Sequence, residues 1–282
     1  MLLAWVFVVE LVVAAAVPFD AALDSRVRPA QLVTPARSHL GVATKSLVAG
    51  DRKVRLSSLG GVAGDRLLAR VASNIGAAIA AVETFWGSDW SHDISVVAAE
   101  TDEEFRAAAG GGPASQWAGI AAVTVADRLD VERRVAVGER IVFAPGAANM
   151  TERALRIVLA HELFHYAARA YTAPDAPRWL TEGVADYVGR PAAPVPADAL
   201  PVPLTLPADA DLDAAGAQRS LAYDRAWWFA RFVADTYGPP KLRDLYLAGC
   251  GAGHADVPTA VHDALGTDAA GVLVRWHQWA TR

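Results

Sequence analysis

A chain of 282 residues, 53% apolar and 20% charged, is long enough to bury a sizeable core. Its formal net charge of −5 and pI near 5.8, with no basic block, leave no electrostatic footprint for a nucleic acid. Cys250 is the only cysteine, which excludes an intramolecular disulfide and a thiolate metal cluster.

Met1 to Val17 is apolar except for Glu10 and ends in Ala14-Ala15-Ala16, an A-x-A type cleavage site. This reads as a signal-peptide core or a short membrane anchor, so the chain is expected to be exported or membrane-anchored. Arg26 and Arg28 follow the apolar run, and no Lys or Arg precedes it. Residues 1–24 form this leader, residues 25–60 a linker and β-like N-terminal extension, and residues 61–282 the main domain. Pro18, Pro29 and Pro35 mark residues 18–35 as the linker, and short β-like runs follow from His39 to Leu59.

Asp65 to Trp86 repeats Leu67, Leu68, Val71, Ile75, Ile79, Val82 and Trp86 at helical spacing. A strand is expected at Ile94 to Ala98, then a helix around Asp102 to Ala109 capped by Thr101. Gly110-Gly111-Gly112-Pro113 is a loop, because the Lys-Ser/Thr of a phosphate cradle is missing. Ala118 to Ala126 and Glu139 to Ala144 read as strands, and Val131 to Val137 can pair between them. Pro145 suits the margin of a sheet, so Ile141 to Ala144 is expected as an edge strand along which an extended peptide can lie.

Thr151 to Tyr171 reads as one helix with Thr151 as N-cap, ending before Pro174 and Pro177. It carries His161-Glu162-Leu163-Phe164-His165. Residues four apart share one helix face, so the two imidazoles can close on one zinc ion while Glu162 reaches its water as general base. A catalytic zinc needs a third protein ligand. A further His at position 171, with Gly at 168, would supply one, but the chain has Tyr171 and Ala168. Past the proline break comes Trp179-Leu180-Thr181-Glu182-Gly183-Val184-Ala185-Asp186-Tyr187. On a second, returning helix, Glu182 completes a His₂Glu site. Asp186, at i+4, is placed either to accept the outer N–H of a ligand histidine or to pair with a nearby Arg.

Pro191 to Pro207 reads as either a flexible linker or a rim loop over the cleft. The rim loop is favoured, because the helix after it must fold back onto the same domain. Helices are expected from Ser220 to Tyr237, with Asp224 and Arg225 solvating the first turn, and over Lys241 to Leu247, Val257 to Leu265 and Asp268 to Ala280. The sum is an α+β chain: a small twisted β-sheet, then a mostly helical half.

On HELFH at 161–165 and WLTEGVADY at 179–187, the chain resembles the gluzincins, and more narrowly the peptidase MA-like domains. The resemblance implies a zincin-like fold with one zinc ion in the cleft between sheet and helices. It implies His161, His165 and Glu182 as zinc ligands, Glu162 as catalytic base and Asp186 behind a ligand. Tyr223 stands where related chains carry a Tyr that hydrogen-bonds the developing oxyanion, with His254, His262 and His277 as weaker alternatives. The expected function is zinc-dependent hydrolysis of a peptide or protein substrate. The rival is a non-catalytic module that binds peptides along Ile141 to Ala144.

Overall fold

The chain is described by a computed structural model over residues 31–37, 43–196, 199 and 204–281; the leader expected at Met1 to Val17 lies outside them. Three strands, β1 (Gln31–Arg37), β2 (Ala43–Ala49) and β3 (Arg52–Ser58), form an antiparallel meander. β3 alternates cleanly: Val54 and Leu56 point into the core while Lys53 and Arg55 face outward. Helix α1 (Val62–Trp86) lies on the inner face and crosses over to β4 (Asp93–Ala98), which pairs in parallel with β3. The strands between residues 31 and 58 thus belong to the main sheet. Pro35, one of the linker prolines, lies within β1 where the β1–β2 register shifts between Val33 and Ala36; a bulge accepts a residue that cannot donate to the ladder.

α2 (Asp102–Ala108) starts in a capping box made by Thr101 and Glu104. β5 (Ala122–Val125), β6 (Arg128–Asp130), β7 (Val135–Val137) and β8 (Arg140–Phe143) follow. β6 and β7 form a separate two-stranded ribbon, and the main sheet runs β1-β2-β3-β4-β8-β5. The strand expected at the edge, Ile141 to Ala144, is therefore internal. β8 pairs in parallel with β4 and antiparallel with β5, and β5 forms the margin. Pro145 does not bear on this, since it opens the 3-10 turn Pro145–Asn149 beyond the strand's last residue. Ile141, Val142 and Phe143 are all fully buried, which is the mark of a strand covered on both faces.

The helical half consists of α3 (Glu152–Ala168), α4 (Arg178–Gly189), the short α5 (Asp209–Leu212), α6 (Ala217–Tyr237), α7 (Pro239–Cys250), α8 (Val257–Leu265) and α9 (Ala269–Ala280). The larger core unites the inner sheet face, α1 and these helices; a smaller one around Phe105 and Trp117 covers the outer face of β4, β8 and β5. α1 is long and apolar enough to cross a membrane by length and composition, but Val71, Ile75 and Val82 are fully buried in the larger core. The described part of the Pro191 to Pro207 segment returns along the domain, with Val195, Ala199, Leu204 and Leu206 packed on the core.

Candidate metal centre

Thr151 caps α3 by accepting from Ala154 N. Leu155, Val158 and Leu159 bury the helix against the core, and His161 and His165 follow one turn apart on its buried side. Their Nε2 atoms lie 3.1 Å apart. The chain then turns through a 3-10 turn at Arg169–Tyr171 and re-enters as α4. α4 brings Glu182 Oε2 to 3.3 Å from His161 Nε2 and Oε1 to 3.5 Å from His165 Nε2. One ligand atom from each of the three residues falls within 4.8 Å of the others, and all three residues are buried.

These separations suit a metal ion. Bonds of about 2.0–2.2 Å in a tetrahedron set donor atoms roughly 3.3–3.6 Å apart. Glu182 Oε2 and Glu162 Oε1 are buried and accept no hydrogen bond, which leaves carboxylate oxygens in want of a cation. The three residues thus form a group able to hold a metal.

Two glycines let α4 approach this closely. A Cβ on Gly183 would lie 2.5 Å from the carbonyl oxygen of Ala226 on α6, and one on Gly189 would lie 2.8 Å from the carbonyl oxygen of Ile157 and 3.1 Å from His161 N on α3. From the far side, Tyr246 and Cys250 of α7 hold the connection between α3 and α4. The Thr172 and Tyr246 hydroxyls meet at 2.7 Å, and Ala173 N donates to Cys250 O at 2.7 Å.

Around the three converging residues lies a second ring of contacts. Asp186 Oδ1 is 3.0 Å from His161 Nδ1; a carboxylate only accepts, so Nδ1 donates and Nε2 is the nitrogen that faces the cluster. Asp186 Oδ2 accepts from Arg190 Nη1 at 3.0 Å. Asp186 thus contacts both His161 and Arg190. Thr124 of β5 places its hydroxyl 2.7 Å from Glu162 Oε2 and 2.9 Å from the Glu162 carbonyl oxygen, one proton shared between two acceptors. Neither Thr124 nor Arg190 stands out in the sequence. The available signals are a lone hydroxyl inside the buried run Ala122–Val125 and an Arg four residues after Asp186.

Burial and charge act against each other here. Burial presses His161 toward neutrality, but its contacts with Asp186 and Glu182 outweigh that and make it hold a proton more tightly than a free imidazole. Burial favours protonated Glu182, yet the two histidines hold it ionised well below the ordinary carboxylate range. Glu162 is shifted the other way, upward, chiefly by burial.

Tyr223 lies half-buried on α6, one turn before Ala226 and within electrostatic range of Arg178; it is not one of the three converging residues. Its neighbours, expected to solvate the helix start, instead pair within the fold: Asp224 Oδ1 with Arg190 Nη2 at 2.7 Å, and Arg225 with Asp211 at 3.5 Å. His254 sits 3.5 Å from Asp175 and His262 3.1 Å from Asp263, and neither of these nor His277 joins the cluster.

No protein-family model matches the sequence, and a search of curated proteins returns no match.

Proposed function

We propose that this chain is a zinc-dependent peptidase. The observation that carries the reading is the convergence of His161, His165 and Glu182 in one buried group, with Glu162 beside it on the same helix. Two imidazoles and a carboxylate make the His₂Glu donor set of catalytic zinc, in which three protein ligands leave a position open. Zinc held there would supply a Lewis acid and lower the pKa of a bound water from about 15.7 toward 7.

The chain's own groups account for the rest. Glu162, held by Thr124, takes the proton of the attacking water and returns it to the amine nitrogen that leaves as the C–N bond breaks. Burial raises its proton affinity above that of an ordinary carboxylate, which makes it the better base for that transfer. Asp186 keeps His161 in the tautomer that presents Nε2. Tyr223 is the candidate donor to the oxyanion. The sheet margin beside Glu162 is β5, with which no described strand pairs on its outer side, so an extended peptide backbone is best accommodated there. The substrate is a peptide or protein met outside the cytoplasm, by the reading of Met1 to Val17.

The test is metal content and hydrolysis measured together. Wild type should hold about one zinc per chain, Glu182→Ala should bind it more weakly, and Glu162→Gln should keep zinc and lose hydrolysis of a mixed peptide substrate. A folded wild type that takes up no metal would end the reading. Zinc-loaded protein that binds peptides and returns them intact would favour a binding module.

A further inference from the structure

Behind His161 and Glu182, one side chain joins α4 to α6. Arg190 follows α4 and spends its two terminal nitrogens on different elements: Nη1 on Asp186 Oδ2 at 3.0 Å, and Nη2 on Asp224 Oδ1 of α6 at 2.7 Å. Its guanidinium carbon lies 3.9 Å from the ring centroid of Trp227, one turn further along α6. Two carboxylates and an aromatic face leave the planar fork a single orientation. The chain of contacts is therefore continuous from His161 Nδ1 through Asp186 and Arg190 to Asp224, the residue next to Tyr223.

We infer that Arg190 is a positioning residue for the metal centre: through Asp186 it sets the ring of His161, and through Asp224 it registers α6 against that ligand. The inference rests on the metal reading above. A point charge would satisfy Asp186 alone; the two-pronged contact requires the guanidinium. Asp224 is the outer anchor, so its effect on the metal passes through Arg190.

The test uses the full chain and zinc itself. Zinc affinity is measured by chelator competition for wild type, Arg190→Met, Arg190→Lys, Asp224→Asn and the Arg190→Met/Asp224→Asn double variant. The visible absorption of the cobalt-loaded proteins and the melting temperature of the metal-free proteins are recorded alongside. Partners behind a ligand histidine typically govern metal affinity by about 10- to 100-fold. Arg190→Met should weaken zinc at the lower end of that range, about tenfold, and shift the cobalt bands; Arg190→Lys should recover part of the loss. Asp224→Asn should weaken zinc less, and the double variant should bind no more weakly than Arg190→Met alone, because the two residues act in series. Asp224 is partly exposed, so Asp224→Asn carries the test if Arg190→Met does not fold. Unchanged zinc affinity and cobalt bands with a lowered metal-free melting temperature would overturn the inference and leave the peptidase reading standing. A wild type that binds no zinc would overturn both.

Discussion

Gly183→Ala sets two opposing effects against each other. Alanine is better than glycine inside a helix by about 1 kcal/mol, so propensity alone predicts a more stable protein. The added Cβ, however, would lie 2.5 Å from the carbonyl oxygen of Ala226, 2.7 Å from its carbonyl carbon and 3.2 Å from its Cβ. Favourable contact between such atoms begins at about 3.5 Å, so α4 and α6 must part by nearly that difference, roughly 1 Å. The two nearest atoms are backbone, and no rotamer change relieves them. Overpacking costs about 1–3 kcal/mol, and with only backbone movement to relieve it the cost here falls in the upper part, about 2–3 kcal/mol, which leaves a net loss of about 1–2 kcal/mol after the propensity gain. At roughly 2–4 °C per kcal/mol for a chain of this size, the melting temperature falls by about 2–8 °C. Because Gly183 adjoins Glu182, the same displacement carries the carboxylate away from the histidines, and zinc affinity falls about tenfold, a change of about 1.4 kcal/mol. Thermal melts of the metal-free protein and chelator competition read the two effects separately. Gly146→Ala, where nothing lies within 4 Å of the added Cβ, is the control and should change neither. A Gly183→Ala protein that melts at or above wild type with undiminished zinc binding would refute the reasoning.

Thr124→Val keeps the shape of a buried side chain but removes the hydroxyl at Glu162. Loss of a hydrogen bond to a charged group costs about 1.5–3 kcal/mol, so peptide hydrolysis should fall at least about tenfold with zinc content unchanged. Undiminished hydrolysis would contradict a clamping role. Burial raises the Glu139 carboxyl to about 8, with Arg169 pulling the other way, so the folded chain holds this proton through a pH range where the unfolded chain has lost it. Stability therefore falls as pH rises from the ordinary carboxylate value toward 8. Glu139→Gln, which mimics the protonated acid, should raise the melting temperature more at about pH 8.5 than at about pH 5; an equal gain at both would count against it.

The helices are legible in the sequence because their signals are local. The 3.6-residue stripe of α1, the Thr151 cap and the prolines after Tyr171 each act within a few residues of the boundary they set. The converging residues are legible for the same reason, since i,i+4 spacing within α3 already places two imidazoles together and the proline break sends Glu182 back toward them. Strand order is not. Whether β8 or β5 lies at the margin depends on pairings between residues far apart in sequence, and Pro145 misleads because it belongs to the following turn. The unbroken apolar run Ile141, Val142 and Phe143 is the better guide. Thr124 and Arg190 are also hard to read: each acts across a tertiary contact, and nothing in its neighbourhood along the chain says which carboxylate it meets.

The grip of α7 on the turn between α3 and α4 bears on how this protein can be dissected. Each proposed ligand lies before Asp186, so a minimal fragment chosen by motif alone would stop near Arg190. Such a fragment would contain the donors and lose the contacts from Tyr246 and Cys250 that hold Thr172 and Ala173, and with them the fixed spacing between His165 and Glu182. A fragment that keeps those contacts must extend at least to Cys250. The stretch after Arg190 supplies none of the three converging residues and still decides where the last one stands.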